Sequence, residues 1–155
     1  MSEHLICVEW ARKSEDFSYE KFSRDHVWHY GNETKICASS SPDFFGNPQC
    51  LNPEQGFAAS LSSCHMLTFL ALCSRRNYVV DSYSDEAVAV LGKNNIGKIA
   101  IIKVELRPVV GFAPGKAPTR EQFTTLHDRA HDNCFIANSY ASCVEVGISP
   151  TMKST

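Results

Sequence analysis

The chain contains no CxxC pair, no run of lysine or arginine, no internal repeat and no low-complexity linker. Each absence removes a class of function. Without CxxC there is neither a thioredoxin-type redox motif nor the usual zinc-ribbon spacing. Fifteen Lys and Arg against 17 Asp and Glu leave a net charge of -2. With no basic stripe, nucleic-acid binding has little electrostatic support. The opening residues, MSEHLICVEW, lack a charged segment followed by an apolar one, so no secretory signal is expected. The most apolar stretch, Phe57 to Cys73, is interrupted by Ser60, Ser62, Ser63, His65 and Thr68 and is slightly short for a bilayer. It reads as a buried helix, and no membrane partner is expected.

What remains is an ordinary globular composition. The 155 residues are 43% hydrophobic and 21% charged, enough for one domain, residues 1–155, with a real core. Seven cysteines without a signal fit a reducing, cytoplasmic setting, where thiols stay free unless chemistry oxidises them.

The first forty residues look β-rich. HLICVEW, FSRDHVWHY and TKICASS are candidate strands, with a turn signal at Gly31-Asn32. SPDFFGNPQCLNP is a loop. A helix then starts with Asn52 as N-cap, Pro53 at the first helical position and Gln55 closing a capping box. Phe57, Leu61, Cys64 and Thr68 make one stripe, and further apolar residues widen it until nearly every face is hydrophobic. Such a helix is buried on all sides, by a sheet and by a second helix or subunit. Arg75, Arg76 and Asn77 suit its end. YVVDSYSDEAVAVL and KIAIIKVELRPVVGF read as two long strands joined by a hairpin at GKNNIG. Thr119 and Gln122 cap a second helix through REQFTTLHDRAHDNC, with Phe123, Leu126 or His127, Ala130 and Cys134 on one face. SYASCVEVGIS closes as a strand. The order β-β-β-α-β-β-α-β is an α+β fold with antiparallel hairpins.

Two cysteines stand out, Cys64 in SSCHM and Cys134 in HDNCFIANS. Cys64 lies midway along the apolar helix, away from the helpful end of its dipole, and burial disfavours a thiolate. One reading is therefore an inert core thiol. A reactive Cys64 needs a nearby cation. A Cys64–Cys134 disulfide needs Cα atoms about 5.5 Å apart, which sequence does not give. A third reading is zinc: His127, His131 and Cys134 follow i, i+4, i+7, and Cys64 or His65 would complete a tetrahedral set. Cys7, Cys37, Cys50, Cys73 and Cys143 read as structural, with Cys7, Cys37 and Cys143 alternating within strands and Cys50 in a loop.

At this point NPEQGFAASLSSCHMLTFLAL resembles the central-helix motif of the OsmC/Ohr family (osmotically inducible protein C and organic hydroperoxide resistance protein), and AHDNCFIANS resembles its second cysteine motif. The resemblance covers nearly the whole chain, and the CHM that follows the serines leans toward the OsmC-like branches. It implies a fold in which antiparallel sheets wrap two buried central helices in an intertwined homodimer, with active sites at the subunit interface. It implies a thiol peroxidase that needs no cofactor and no metal. Cys64 is then the peroxidatic thiol and Cys134 the resolving one. Glu54 matches the carboxylate that holds the family's catalytic arginine, and Arg24 lies at about the expected separation upstream. A guanidinium favours the thiolate that attacks the O–O bond, and a forked carboxylate fixes its aim. Attack leaves a sulfenic acid on Cys64, Cys134 condenses with it, and an external dithiol such as a lipoyl protein reduces the disulfide. Phe44, Phe45, Met66 and Phe69 are candidates to line an apolar pocket for organic hydroperoxides. His65 and His131 read as structural. The alternatives are a non-catalytic small-ligand or thiol-binding member of the fold, and the zinc protein.

Overall fold

In the computed structural model, which describes residues 1–31 and 33–153, the strongest local signal of the sequence is realised at Asn52. The Gln55 amide donates to Asn52 Oδ1 at 2.8 Å and the Asn52 amide to Gln55 Oε1 at 3.0 Å, a reciprocal capping box. Pro53 fills the first helical position, and α1 runs Pro53–Arg75. The helix stops where Asn77 adopts a left-handed φ of 60° and the Tyr78 amide turns back to the Cys73 carbonyl at 3.1 Å. The chain divides into two compact units, residues 1–56 and 57–155, with the boundary in the first turn of α1.

The first unit holds one antiparallel sheet in the order β1 (Cys7–Glu9), β2 (His26–Tyr30), β3 (Thr34–Ala38), with Trp28 opposite Val8 and Ile36. All three expected strands are present, each shorter than the stretch that announced it. Half of the expected Gly31-Asn32 turn, Asn32, lies outside the described residues. After β3 the loop makes a single 3-10 turn at Pro42–Phe44. Gly46 is forced to be glycine, because a Cβ there would run into the Ser40 carbonyl. Gly56 lies under the Trp28 indole, where a Cβ would come within 2.6 Å of Cη2.

The second unit corrects several expectations. The two long strands are each broken. The first becomes β4 (Val80–Asp85) and β5 (Val88–Lys93), and the second becomes β6 (Ile99–Leu106) and β7 (Pro108–Phe112). The breaks face each other: Asp85 Oδ1 accepts the Arg107 amide at 2.6 Å, and Pro108 has no amide to continue the ladder. Each half then pairs in a separate sheet. The GKNNIG turn forms as expected, with the Gly97 amide on the Asn94 carbonyl at 2.9 Å. The second helix, α2 (Arg120–Asp132), begins at the expected Thr119–Gln122 capping box but ends before Cys134. The next residues form α3 (Phe135–Tyr140), which takes in Ser139 and Tyr140 from the start of the expected last strand, and Cys143 lies in the turn that follows rather than in a strand. The last strands are β8 (Glu145–Ile148) and β9 (Thr151–Met152).

Sheet order is β4-β7-β9 and β5-β6-β8, and the pairs β7·β9 and β6·β8 are parallel, so the fold is α+β but not purely antiparallel. Two cores result. Phe69 and Cys73 of α1 pack with Val110 and Phe112 of β7 and with Phe123, Leu126 and Ala130 of α2. Ala58 and Leu61 of α1 pack with Val104 and Leu106 of β6 and with Cys134 and Ala137 at α3. The α1 helix is therefore the spine of this unit, and its midpoint lies where the two cores meet. Within a single chain one face stays open: Ala59, Ser63, Leu67 and Ala71 form an exposed stripe, with Leu67 62% exposed.

Candidate active site

The buried stripe of α1 is Ala58, Leu61, His65, Phe69 and Cys73. It passes through His65, one residue beyond the Cys64 that the sequence pattern selected. Cys64 consequently lies on the flank of the helix, half-buried, while Cys134 is completely buried. The two thiols belong to the same core, with Cys64 packed against the cluster that contains Cys134.

Cys134 is the N-cap of α3, and its Sγ accepts the Ala137 amide at 3.4 Å. Burial pushes the Cys134 thiol up to about 11, and the neighbouring Cys64 thiol adds to the rise. The pair is thus asymmetric: Cys64 is half-buried, whereas Cys134 is sealed in the core and held as a thiol. Thr68 Oγ1 donates to the Cys64 carbonyl at 2.9 Å, and Ser62 Oγ donates to Asp85 Oδ2 at 2.5 Å, tying this turn of α1 to the β4 end.

Beside the thiols lies a polar pair, two of the histidines weighed above as zinc ligands. His65 Nε2 and His127 Nδ1 are 2.9 Å apart, and both rings are essentially inaccessible. Burial holds His65 down at about 4, with repulsion from His131 second, and holds His127 down at about 3, with repulsion from His65 second. Both imidazoles are therefore neutral at pH 7. His65 Nδ1 and His127 Nε2 find no partner among the described residues. His127 stacks on Phe69 at 4.2 Å and meets Phe123 edge-on at 4.6 Å. Phe69, expected to line a substrate pocket, is thereby a fully buried core residue; Met66 is half-buried on the flank of α1. The signal for this pair was the spacing Leu61, His65, Phe69, Cys73, which is as regular as the stripe chosen instead. Among the described residues no group of three or more His, Cys, Asp or Glu is arranged to hold a metal ion. One of the histidines invoked for zinc is instead bonded to His65.

The other candidates sit in the first unit. Arg24 is not joined to Glu54. Its guanidinium donates to the carbonyls of Phe22, at 2.6 Å, and Tyr19, and lies over the Phe22 ring at 3.7 Å, with Tyr19 and Phe45 at 5.1 and 5.2 Å. Glu54 Oε2 is buried without a partner among the described residues. Trp28 Nε1 donates to His26 Nε2 at 3.0 Å; since an indole only donates, the His26 proton sits on Nδ1 and goes to the Arg24 carbonyl at 2.8 Å. Arg24 also borders a cavity of about 340 Å³ with Trp10, Phe17, Phe22, His26 and Pro53. Phe44 and Phe45 are exposed, and Phe45 packs edge-on against Tyr19. The aromatic density of residues 10–22 is the sequence signal for this pocket.

Cys37 and Cys50 are joined as a disulfide with Cα atoms 5.0 Å apart, contrary to the expectation that the thiols stay free. The cause is a backbone pairing: the Leu51 amide reaches the Cys37 carbonyl at 3.0 Å, which lays Cys50 beside β3.

The profile of the OsmC-like protein family matches residues 46–149. A search of curated proteins gives no match. Among solved structures, an OsmC-like protein of unknown function from Vibrio cholerae is 44% identical, over 99% of this chain and 100% of that one, with a TM-score of 0.87. An organic hydroperoxide resistance protein from Elizabethkingia anophelis is 18% identical over 98% and 99%, with a TM-score of 0.72. An OsmC-like protein from Mycoplasma pneumoniae is 11% identical over 99% of each chain, with a TM-score of 0.75. The last two likenesses show the fold alone. With the family profile spanning more than half of its length and a 44% identical relative matched end to end, the chain belongs to the OsmC-like family.

Proposed function

We propose that this protein is a cysteine-based peroxidase that reduces organic hydroperoxides to alcohols. The observation that carries the reading is the asymmetric thiol pair: a half-buried Cys64 packed in the same core as a fully buried, protonated Cys134. The Cys64 thiolate attacks one peroxide oxygen; an S–O bond forms, the O–O bond breaks, and the departing alkoxide takes a proton to leave as the alcohol. Cys134 then gives up its proton and attacks the sulfenic sulfur, forming the disulfide and releasing water. A dithiol, of the kind a lipoyl protein carries, restores both thiols by exchange. The exposed apolar stripe of α1, with Leu67 at its centre, supports a second copy of this chain as its cover, and a solution mass of twice the chain mass is the expected result.

The test is a thiol count by intact mass after one equivalent of cumene hydroperoxide is added to fully reduced protein. Loss of two thiols, mapped to Cys64 and Cys134 and reversed by dithiothreitol, is the expected result; unchanged thiols would overturn the reading. Arg24 favours a second reading. Its guanidinium is committed to two carbonyls and an aromatic face, with Glu54 left unpaired, as suits a non-catalytic member of the fold that binds thiols or small apolar ligands. In that case neither the parent nor Arg24→Ala consumes hydroperoxide, whereas the peroxidase reading expects a parent rate that Arg24→Ala lowers.

A further inference from the structure

The His65–His127 bond is the only side-chain hydrogen bond between α1 and α2 among the described residues. It lies at the junction of the two cores, in contact with the Phe69 and Phe123 rings of one. Next to His65 in the chain is Cys64, which packs against the other core. Two helical turns after His127 comes Cys134, at the joint between α2 and α3, where the backbone leaves the helix with ψ of 114°.

We propose that the His65–His127 bond is a positioning device that sets the register of α2 on α1, so that the α2–α3 joint delivers Cys134 to Cys64. Apolar packing between helices fixes distance but tolerates small slides and rotations. A hydrogen bond is directional, and its strength falls steeply as the angle opens. This one also carries a cost that packing alone would not. Whichever ring donates, one N–H and one bare nitrogen stay buried without a partner, at His65 Nδ1 and His127 Nε2. An apolar pair of the same shape would avoid that cost, so what the bond contributes is geometry rather than net stability. A disulfide closes only within a narrow window of Cα separation and Cβ direction. Register at this joint is therefore what decides how readily the two sulfurs meet.

The inference rests on Cys64 and Cys134 as a redox couple, and the experiment separates the two. The equilibrium between the Cys64–Cys134 dithiol and disulfide is titrated against dithiothreitol, with diamide as oxidant and alkylation followed by peptide mapping as readout. His127→Phe keeps the ring volume and the stacking but not the bond, and is expected to shift the equilibrium at least tenfold toward the dithiol. His127→Asn, whose amide places a hydrogen-bonding atom near the Nδ1 position, is expected to stay within about threefold of the parent. Should His127→Phe fail to fold, the double variant His65→Leu with His127→Phe, which leaves no lone imidazole, carries the same test. Equilibria within twofold in a folded apolar variant overturn the proposal, as does a parent protein that diamide does not close. A parent that closes with diamide and not with hydroperoxide overturns the peroxidase reading while the positioning test stands.

Discussion

Acidification is expected to destabilise this protein through the two buried histidines well before its carboxylates titrate. In the folded chain His65 stays neutral down to about pH 4 and His127 to about pH 3, whereas in the unfolded chain both take the ordinary value of 6.5. Their folded values lie below the unfolded ones, so the stability they allow is fully present above pH 6.5. It is lost as pH falls, because only the unfolded chain binds the protons, and the loss levels off once the native pair titrates. Each pH unit between those limits costs 1.36 kcal/mol per group. From pH 6.5 to pH 5 that is about 2 kcal/mol for each histidine and about 4 kcal/mol for the pair. Small domains have about 5–15 kcal/mol in total, so the effect is decisive. The assay is urea denaturation followed by circular dichroism from pH 8 to pH 5, on the parent and on the double variant His65→Leu with His127→Phe. Other histidines titrate equally in both and cancel. The parent is expected to lose about 4 kcal/mol more than the variant over that span. Coincident pH profiles would refute the claim that these imidazoles are buried neutral.

The Cys37–Cys50 crosslink closes a loop with a sequence separation of 13, and replacing both residues with alanine should cost about 3 kcal/mol by loop entropy, read as a lower urea midpoint that dithiothreitol reproduces in the parent. Gly46→Ala should destabilise the chain by more than the usual ~1 kcal/mol of a point mutation, because its Cβ meets the Ser40 carbonyl; a melting temperature within a degree of the parent would contradict that packing. Cys134→Ser should allow about one turnover with hydroperoxide and then stall, with Cys64 accumulating as sulfinic acid in the mass spectrum.

What was legible in the sequence was whatever is encoded within a few residues. The capping boxes at Asn52 and Thr119 set the start of two helices, and the turn at Asn94 to Gly97 set a hairpin; each rests on side chains bonding to their own backbone neighbours. What was not legible depends on partners far along the chain. The stretches around Asp85 and Arg107 each look like one strand, because nothing local says that the Asp85 carboxylate will hold the Arg107 amide and turn both at the same level. The Cys37–Cys50 bridge likewise depends on Leu51 pairing with Cys37, which no cysteine spacing announces.

The central helix shows the limit most clearly. Its hydrophobicity is so nearly uniform that two stripes fit equally well, one through Cys64 and one through His65. Neighbouring residues differ by about 100° around a 3.6-residue helix, so choosing between them changes the chemistry. On the inward stripe Cys64 would be sealed in the core, with burial against its thiolate. Because His65 takes the inward place and finds a partner in His127, Cys64 is rotated to the flank and stays half-buried, while Cys134 is fully enclosed. A buried polar residue in the stripe, costly by itself, is what places the thiol pair half in and half out.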